Sequence, residues 1–117
     1  MHLLKDIAIK DSVTLYENST WDEAYFLFLK NRIDILPILD KYFHVIGIIT
    51  KSDIIKYQAK RIDPTIPIKK NLLTSIVTVI EDIPIIDILK SYSSSIFPIA
   101  IVNNRNEFSG LVTTEVI

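Results

Sequence analysis

Thr50 and Asp53 are the two side chains whose types and spacing best fit binding chemistry. Thr50 ends a run of apolar residues, and Asp53 follows three positions later, where a helix is predicted to begin. At a junction between a strand and a helix, a threonine hydroxyl and the first free N–H groups point to one place, which favours a phosphate. An aspartate one turn further on can accept two hydrogen bonds from a vicinal diol such as that of ribose. The pair therefore predicts a nucleotide-type ligand.

Five neighbouring residues extend this candidate site. Ile35, Leu36 and Pro37 lie in an apolar run that offers walls and backbone groups to a purine ring. Lys51 and Arg61 could add positive charge near a phosphate. However, a threonine three residues before an aspartate is also a common helix cap, which would account for both polar side chains without a ligand. The residues alone leave both interpretations open.

The remaining composition excludes several other functions. The chain has 117 residues, no cysteine and a net charge of −1, which excludes disulfides and thiolate metal sites and gives no basic stripe for nucleic acid. The two histidines, His2 and His44, lie near a terminus and in a predicted turn, so no metal site is expected. No apolar run is long enough to cross a bilayer. With no residues at catalytic spacing, we expect a cytoplasmic protein that is not an enzyme.

The chain also carries one pattern twice. An apolar run with a proline, followed by Gly-apolar-apolar-Thr, ends at Thr50 and returns at Thr113. We pair Pro37 with Pro98 and, at the end of the same run, place Val102 where the first copy has Asp40. A unit of about sixty residues buries too little surface to be stable alone, so the two copies are expected to pack together. The groove between them is then the expected place of function.

Each copy predicts the order strand, helix, strand, strand, helix. A capping box at Thr20 and Glu23 opens one helix, and Thr50 and Asp53 open the next. Pro84 suits the first position of the helix in the second copy. The predicted strands are Val13–Tyr16, Leu36–Asp40, Val45–Thr50, Ile76–Ile80, Phe97–Val102 and Phe108–Thr113, and the predicted helices are 20–31, 51–60 and 84–92.

This order of elements, together with Leu36-Pro37-Ile38-Leu39-Asp40 and Gly47-Ile48-Ile49-Thr50-Lys51-Ser52-Asp53, resembles a CBS domain pair, the regulatory Bateman module. The resemblance implies an α+β fold of tandem repeats over about residues 3–117. We divide the chain into repeat 1 at 1–61, a linker at 62–70 and repeat 2 at 71–117, whose last helix is cut short. The second repeat departs from the pattern, because Val116 stands where the first has Asp53.

The resemblance also implies a function and assigns the site residues. In such pairs the aspartate binds ribose, the threonine binds phosphate and the strand edge binds adenine, which here gives Asp53, Thr50 and Ile35-Leu36-Pro37. The implied ligand is AMP, ADP, ATP or S-adenosylmethionine, with no cofactor required. Binding is expected to control an attached effector domain downstream, with a transcription regulator as the favoured type. The alternative is a ligand-free dimerisation or interaction module.

The two helices at 20–31 and 84–92 are expected to join two chains. Their apolar side chains cover more of each helix than one sheet can bury. The chain as a whole is 49% apolar, which also favours self-association. We therefore predict a homodimer through these helices, with no nucleic acid or membrane partner.

Overall fold

The computed structural model describes residues 3–8, 12–61, 63–68, 73–91 and 98–113, which belong to two compact units. The first unit is Val13–Ser75, and the second unit combines Met1–Ser12 with Ile76–Ile117. In chain order the elements are α1 (Leu4–Ile7), β1 (Leu15–Tyr16), α2 (Trp21–Asn31), β2 (Ile35–Leu39), β3 (Val45–Thr50), α3 (Lys51–Ala59), β4 (Val77–Ile80), α4 (Ile85–Ser91), β5 (Ile99–Val102) and β6 (Phe108–Val112). None of these helices is long and apolar enough to span a bilayer.

Each unit contains one three-stranded sheet with the same topology. The sheets have the orders β1-β2-β3 and β4-β5-β6, and in each the first pair of strands is parallel and the second antiparallel. This mixed architecture confirms the predicted α+β class. The residues of the predicted final helix, 114–117, lie outside the described residues, as do Tyr92 and Phe97.

Pro37 occupies the middle of β2 without breaking the ladder. Its partner on β3 is Ile48, whose N–H and C=O both bond to Thr74 on the other side, at 2.9 and 3.0 Å. Pro37 and Ile48 therefore form the kind of antiparallel pair that exchanges no hydrogen bonds with each other. Because β3 needs no N–H at this position, the proline is tolerated there.

The two hairpins share one register, which identifies the equivalent residues of the repeats. Gly47 lies opposite Ile38, and Gly110 lies opposite Ile101. An irregularity follows directly after this pair in both hairpins. Such a bulge re-aims the strand and is a feature of the fold rather than a defect.

This register corrects the alignment based on the prolines. Counting back from the glycine pairs places Pro98 at the position of Ile35 and Ala100 at the position of Pro37. The predicted match of Pro37 with Pro98 is therefore wrong. A proline was a poor marker because it is tolerated at any strand position where its missing N–H has no partner to satisfy.

The hairpin turns show a second correction. Asp40 Oδ1 accepts the N–H groups two and four residues further on, at 2.8 and 3.0 Å, and Asn103 Oδ1 does the same at 2.9 and 3.0 Å. Asp40 thus corresponds to Asn103, and the predicted equivalence with Val102 is wrong. Each turn also contains one residue with a positive φ, Phe43 at 66° and Asn106 at 62°.

The helices begin where their caps place them. Thr20 Oγ1 accepts the N–H of Glu23 at 3.3 Å, but the reverse bond of the predicted capping box is not formed between these two described residues. Trp21, Ala24 and Phe28 are buried on one face of α2 and join the core of the first unit. In the second unit, α4 begins at Ile85. Pro84 therefore lies one residue before the helix and not at the predicted first position.

The N-terminal segment packs in the second unit. Leu3 forms a bridge with Pro84, and the N–H of Leu4 donates to the carbonyl of Ile83 at 2.9 Å. The side chain of Leu4 is fully buried in the core of that unit. We call residues 3–8 the first leader.

The equivalent segment before the second repeat packs in the first unit. Pro67 forms a bridge with Thr20, and the N–H of Ile68 donates to the carbonyl of Ser19 at 2.8 Å. Ile68 is buried in the core of the first unit, as Leu4 is in the second. We call residues 63–68 the second leader. Each leader therefore completes the unit built from the other repeat.

Candidate functional site

Thr50 and Asp53 form a complete capping box at the start of α3. The Asp53 N–H donates to Thr50 Oγ1 at 3.2 Å, and the Thr50 N–H donates to Asp53 Oδ2 at 2.8 Å. Both residues are half-buried at the point where β3 passes into α3. The helix cap that the sequence left as an alternative is therefore present. It also holds the hydroxyl and the carboxylate side by side at the helix N-terminus, where the helix dipole favours anionic groups.

Thr74 is a member of this cluster that sequence reasoning missed. Its hydroxyl donates to Asp53 Oδ2 at 3.3 Å, so this one oxygen accepts two hydrogen bonds. The second oxygen, Oδ1, accepts no hydrogen bond from the part of the chain that the structure describes. Thr74 reaches the site because it pairs with Ile48 along the outer edge of β3. No spacing in the sequence links a single loop threonine to a helix cap on the other side of a connector.

Gly47 allows this edge to form. A Cβ atom on Gly47 would lie 2.7 Å from the Cβ of Leu73 and 3.1 Å from the carbonyl oxygen of Thr74, and its φ is +156°. No other residue type fits that space without moving the neighbouring chain. The glycine of the Gly-Ile-Ile-Thr motif therefore lets residues 73 and 74 approach β3 and bring Thr74 to Asp53.

The predicted adenine edge is only partly available. Ile35 is the cross-strand partner of Thr50 and is half-buried, so it lies beside the capping box. Leu36 and Pro37 are fully buried, and Leu36 belongs to the core of the first unit. Within β2, only Ile35 therefore presents side-chain surface next to Thr50.

The two predicted cations lie at opposite ends of α3. Lys51 is exposed, and its N–H donates to the carbonyl of Asp34 at 3.0 Å. Arg61 follows the last turn of α3, about 15 Å along the axis from Thr50. The structure therefore brings Lys51, but not Arg61, to the candidate site. Among the described residues, no three His, Cys, Asp or Glu side chains are placed to hold a metal ion.

The equivalent position in the second unit looks different. Thr113 corresponds to Thr50, since each follows the glycine of its hairpin by three residues. Its Oγ1 is buried and has no hydrogen-bond partner among the described residues, whereas Thr50 Oγ1 caps a helix. Val116, which the sequence places opposite Asp53, lies outside the described residues.

Two hairpin sheets of equal register, each with a helix between the parallel strands, define a tandem α+β module. The sequence pattern of the CBS domain matches residues 4–60. The chain also resembles the crystal structure of the CBS domain pair of protein MJ0100, with 30% identity, a TM-score of 0.75 and coverage of 98% of this chain and 95% of that one. The chain therefore belongs to the CBS domain family.

Other similar proteins place the module in different contexts. A CBS domain protein from Pyrobaculum aerophilum, solved with AMP, has a TM-score of 0.80 at 20% identity and covers 98% of this chain and 89% of its own, which shows the shared fold. L-aspartate semialdehyde sulfurtransferase from Methanocaldococcus jannaschii is 31% identical over 97% of this chain but only 22% of its own length. Inosine-5'-monophosphate dehydrogenase from Thermoplasma acidophilum is 42% identical over 47% of this chain and 11% of its own length. The chain thus spans about a fifth or less of these two enzymes.

Proposed function

We propose that the Thr50–Asp53 junction binds the ribose and phosphate, or the equivalent adenosyl part, of a small adenosine-containing ligand. The observation that carries the proposal is the pair of neighbouring oxygens at the start of α3. Asp53 keeps one carboxylate oxygen without a protein donor in the described chain, and a ribose hydroxyl is a suitable donor for it. Ile35 supplies apolar surface beside Thr50, and Lys51 supplies a nearby positive charge.

A relative whose bound ligands are known supports this choice of ligand. The MJ0100 domain pair was crystallised with 5'-methylthioadenosine and S-adenosyl-L-methionine. It is 30% identical to this chain over nearly its whole length. Both of its ligands contain an adenosine unit with a ribose diol, which is the group that we propose Asp53 binds. AMP, ADP and ATP share that unit and belong in the same test.

The test is a titration of the purified chain with AMP, ADP, ATP, S-adenosylmethionine and 5'-methylthioadenosine, followed by calorimetry and thermal unfolding. A ligand at one hundred times its Kd should stabilise the protein by about 2.7 kcal/mol. The corresponding 2'-deoxynucleotide should bind about tenfold more weakly, since it lacks one donor for the carboxylate. Equal binding of the ribose and deoxyribose forms would contradict the role of Asp53.

Asp53→Asn separates ligand binding from helix capping. The amide oxygen can still accept the Thr50 N–H, so α3 should keep its cap. The charge is lost, and an NH2 group replaces the carboxylate oxygen that is free to accept from a diol, so adenosine-ligand binding should fall about tenfold or more. Asp87→Asn is a matched control, because Asp87 is exposed in the first turn of α4. It removes the same charge from a helix start without touching the candidate site.

The second part of the proposal concerns partners. We propose that α2 and α4 pair with their equivalents in a second chain and that ligand binding biases an attached effector domain. In α2, Phe26 is 60% and Leu29 62% exposed, and in α4, Ile86 and Leu89 are about half exposed. Sedimentation of Leu29→Glu should then show a shift towards monomer, while Ile55→Glu on α3 should not. A native chain that sediments as a monomer would oppose this part alone.

A ligand-free interaction module is the competing function, and one observation favours it. Thr50 and Asp53 satisfy each other as a helix cap, so their presence does not require a ligand. If none of the five adenosine compounds stabilises the protein, this second function is the better explanation. The proposal assigns no catalytic step to the chain. The lack of cysteine fits a reducing compartment such as the cytoplasm.

A further inference from the structure

Helix α3 has a packed side and an outer side. Ile54 is buried and Tyr57 is half-buried, and both side chains pack in the core of the first unit. The other side is exposed, and we call its side chains the outer face of α3: Ser52, Ile55, Lys56, Ala59 and Lys60. Positions four apart are neighbours on a helix surface. The outer face therefore has an apolar row, Ile55 and Ala59, beside a basic row, Lys56 and Lys60.

Ile55 is the main apolar side chain of the outer face. It is 61% exposed, whereas its neighbour Ile54 is only 6% exposed. Covering such a side chain with the apolar atoms of a partner is favourable. Helix α3 is not one of the two helices of the proposed dimer, so that dimer gives Ile55 no assigned partner. Single exposed isoleucines are common on protein surfaces, so the meaning of Ile55 depends on the charges beside it.

These charges are of one sign. Residues 51–61 contain four cations and one aspartate, a net charge of +3 in a chain whose total is −1. All four cations are exposed, and none forms an ion pair with a carboxylate in the part of the chain that the structure describes. Cations near the end of a helix interact favourably with its dipole, but Lys56 and Lys60 also repel each other at this spacing. The basic row therefore complements an acidic partner.

We propose that the outer face of α3 binds an acidic, amphipathic helix of a partner protein. The apolar row of that helix covers Ile55 and Ala59, and its carboxylates pair with Lys56 and Lys60. Lysines that flank an apolar contact can lay their methylene chains along it and keep their ammonium groups in water, as they do beside the seam of a coiled coil. Lys51 belongs to the candidate adenosine site and is not part of this face.

Other occupants fit this face less well. Nucleic acid would engage the lysines, but phosphates gain nothing from Ile55, and the outer face has no arginine or aromatic ring to contact bases. A lipid surface requires a broad apolar face with large side chains, which Ile55 and Ala59 do not provide. A second copy of the chain is already proposed as the partner of α2 and α4. These three occupants are outcomes that the test distinguishes.

The probe is a blocked alanine-based peptide of roughly 20 residues, which is long enough to form a helix alone. Leucine recurs at every fourth position, and a glutamate follows each leucine. The peptide is titrated into the full chain while proton–nitrogen correlation spectra report the backbone amides. We expect saturable shifts at residues 55–60, which weaken as the salt concentration is raised. The same peptide with glutamine for glutamate is the matched probe and should bind about tenfold more weakly.

Three variants locate the binding. Lys56→Glu reverses a charge of the basic row and should weaken binding of the glutamate peptide about tenfold or more. Lys90→Glu makes the same change at an exposed lysine in the last turn of α4 and should leave binding unchanged. Ile55→Ser tests the apolar row and should weaken binding about fivefold. All three side chains are exposed, so none of the variants is expected to disturb folding.

Four results would overturn the proposal. The glutamine peptide could bind as tightly as the glutamate peptide, or neither could bind. A short DNA duplex or vesicles of phosphatidylglycerol could bind more tightly than the peptide and lose affinity with Lys56→Glu, which would identify nucleic acid or lipid as the partner. Finally, the α3 signals could move with protein concentration when no peptide is present, which would mean that a second copy covers the outer face. Each result is readable whether or not adenosine compounds bind at Asp53.

Discussion

The two hairpins of this chain have the same backbone and different side chains. Both have a glycine opposite the residue before a bulge, and both close with an Asp or Asn whose Oδ1 accepts two backbone N–H groups. Both place one residue at a positive φ in the turn, but the first uses Phe43 and the second Asn106. The shared features all satisfy backbone geometry. The repeat therefore preserves what the main chain requires and varies the rest.

The threonine at the end of each hairpin shows one such difference. Thr50 Oγ1 caps α3, whereas the equivalent Thr113 Oγ1 has no partner among the residues described. Asp53 adds a carboxylate in the first unit, and the sequence provides Val116 at the matching place. The proposed ligand-binding groups therefore all lie in the first unit, and Val116 lies outside the described residues.

We expect the strongest destabilisation from substitutions in the two leaders, each of which packs in the unit of the other repeat. Leu4→Ala and Ile68→Ala each remove a buried side chain and should each cost about 2–5 kcal/mol in the free energy of unfolding. Urea unfolding measures this loss, and hydrogen exchange locates it. Leu4→Ala should reduce protection in β4–β6, and Ile68→Ala in β1–β3. Ile55→Ala, at a side chain that is 61% exposed, is the control and should change stability by less than about 0.5 kcal/mol.

If Leu4→Ala instead exposed the amides of β1–β3, the assignment of the first leader to the second unit would be wrong. The two variants therefore test directly which unit each leader stabilises. The loss of hydrogen-exchange protection is measured in the repeat that does not contain the substitution.

Gly47→Ala should have the next largest effect. The added Cβ would meet Leu73 at 2.7 Å, and overpacking of this kind typically costs about 1–3 kcal/mol. The same change should push residues 73 and 74 from β3 and separate Thr74 from Asp53. Urea unfolding gives the stability, and the amide signals of Ile48 and Thr74 give the local change. An unchanged Thr74 signal would show that this edge can accommodate a side chain.

Substitutions at the positive-φ residues of the two turns should change stability less, and by different amounts in the two turns. Asn106→Phe forces an aromatic residue into a left-handed conformation that asparagine tolerates better, at a cost of about 1 kcal/mol. Phe43→Asn relieves that cost but loses the edge contact with Tyr16, whose ring centroid is 6.3 Å away. Because such a contact is worth about 0.5–1.5 kcal/mol, the net change should be near zero. Equal destabilisation by both variants in thermal unfolding would show that the two turns are not equivalent.

The smallest effects concern how the stability of each unit depends on pH, through one charged residue in each leader. In the first leader, the hydrogen bond and charge of Asp82 raise the pKa of Lys5. In the second, the backbone N–H and then the hydroxyl of Thr65 lower the pKa of Asp63. A raised lysine pKa gives stability that is lost as the pH rises through the folded pKa. A lowered aspartate pKa gives stability that is lost as the pH falls through the folded pKa.

Asp63 is exposed and the side chain of Lys5 is partly exposed, so these changes should be barely detectable in stability and are best followed by NMR titration of the two side chains. Thr65→Val keeps the N–H and removes the hydroxyl, so the pKa of Asp63 should return only part of the way. A full return would show that the hydroxyl, rather than the N–H, is the main cause.

The elements of the fold were predictable because their signals are local. The apolar run and the Thr50–Asp53 cap define β3 and α3 almost to the residue, and α2 ends at the predicted Asn31. The alignment of the repeats was harder, because it followed the visible prolines. The true register depends on where the glycines and bulges lie, and only the paired strands reveal it.

The rest of the site depends on tertiary choices that sequence spacing does not encode. Leu4 and Ile68 are both apolar residues that suit either core, so their exchange between units cannot be read from periodicity. Thr74 reaches Asp53 only because the chain after the connector returns to the edge of β3. Leu36 matched the expected pattern of the adenine edge, but the core of the first unit occupies its side chain.

The hydrogen bonds on Asp53 Oδ2 have a consequence for sensitivity. Any diol that engages both carboxylate oxygens must compete with the Thr50 N–H and the Thr74 hydroxyl for this atom. Loss of one such bond, worth about 1 kcal/mol, weakens an apparent affinity about fivefold. In the proposed site, the cap therefore competes with the ligand and raises the ligand concentration needed for occupancy. A substitution of Thr74 would change the apparent affinity without altering any atom of Thr50 or Asp53.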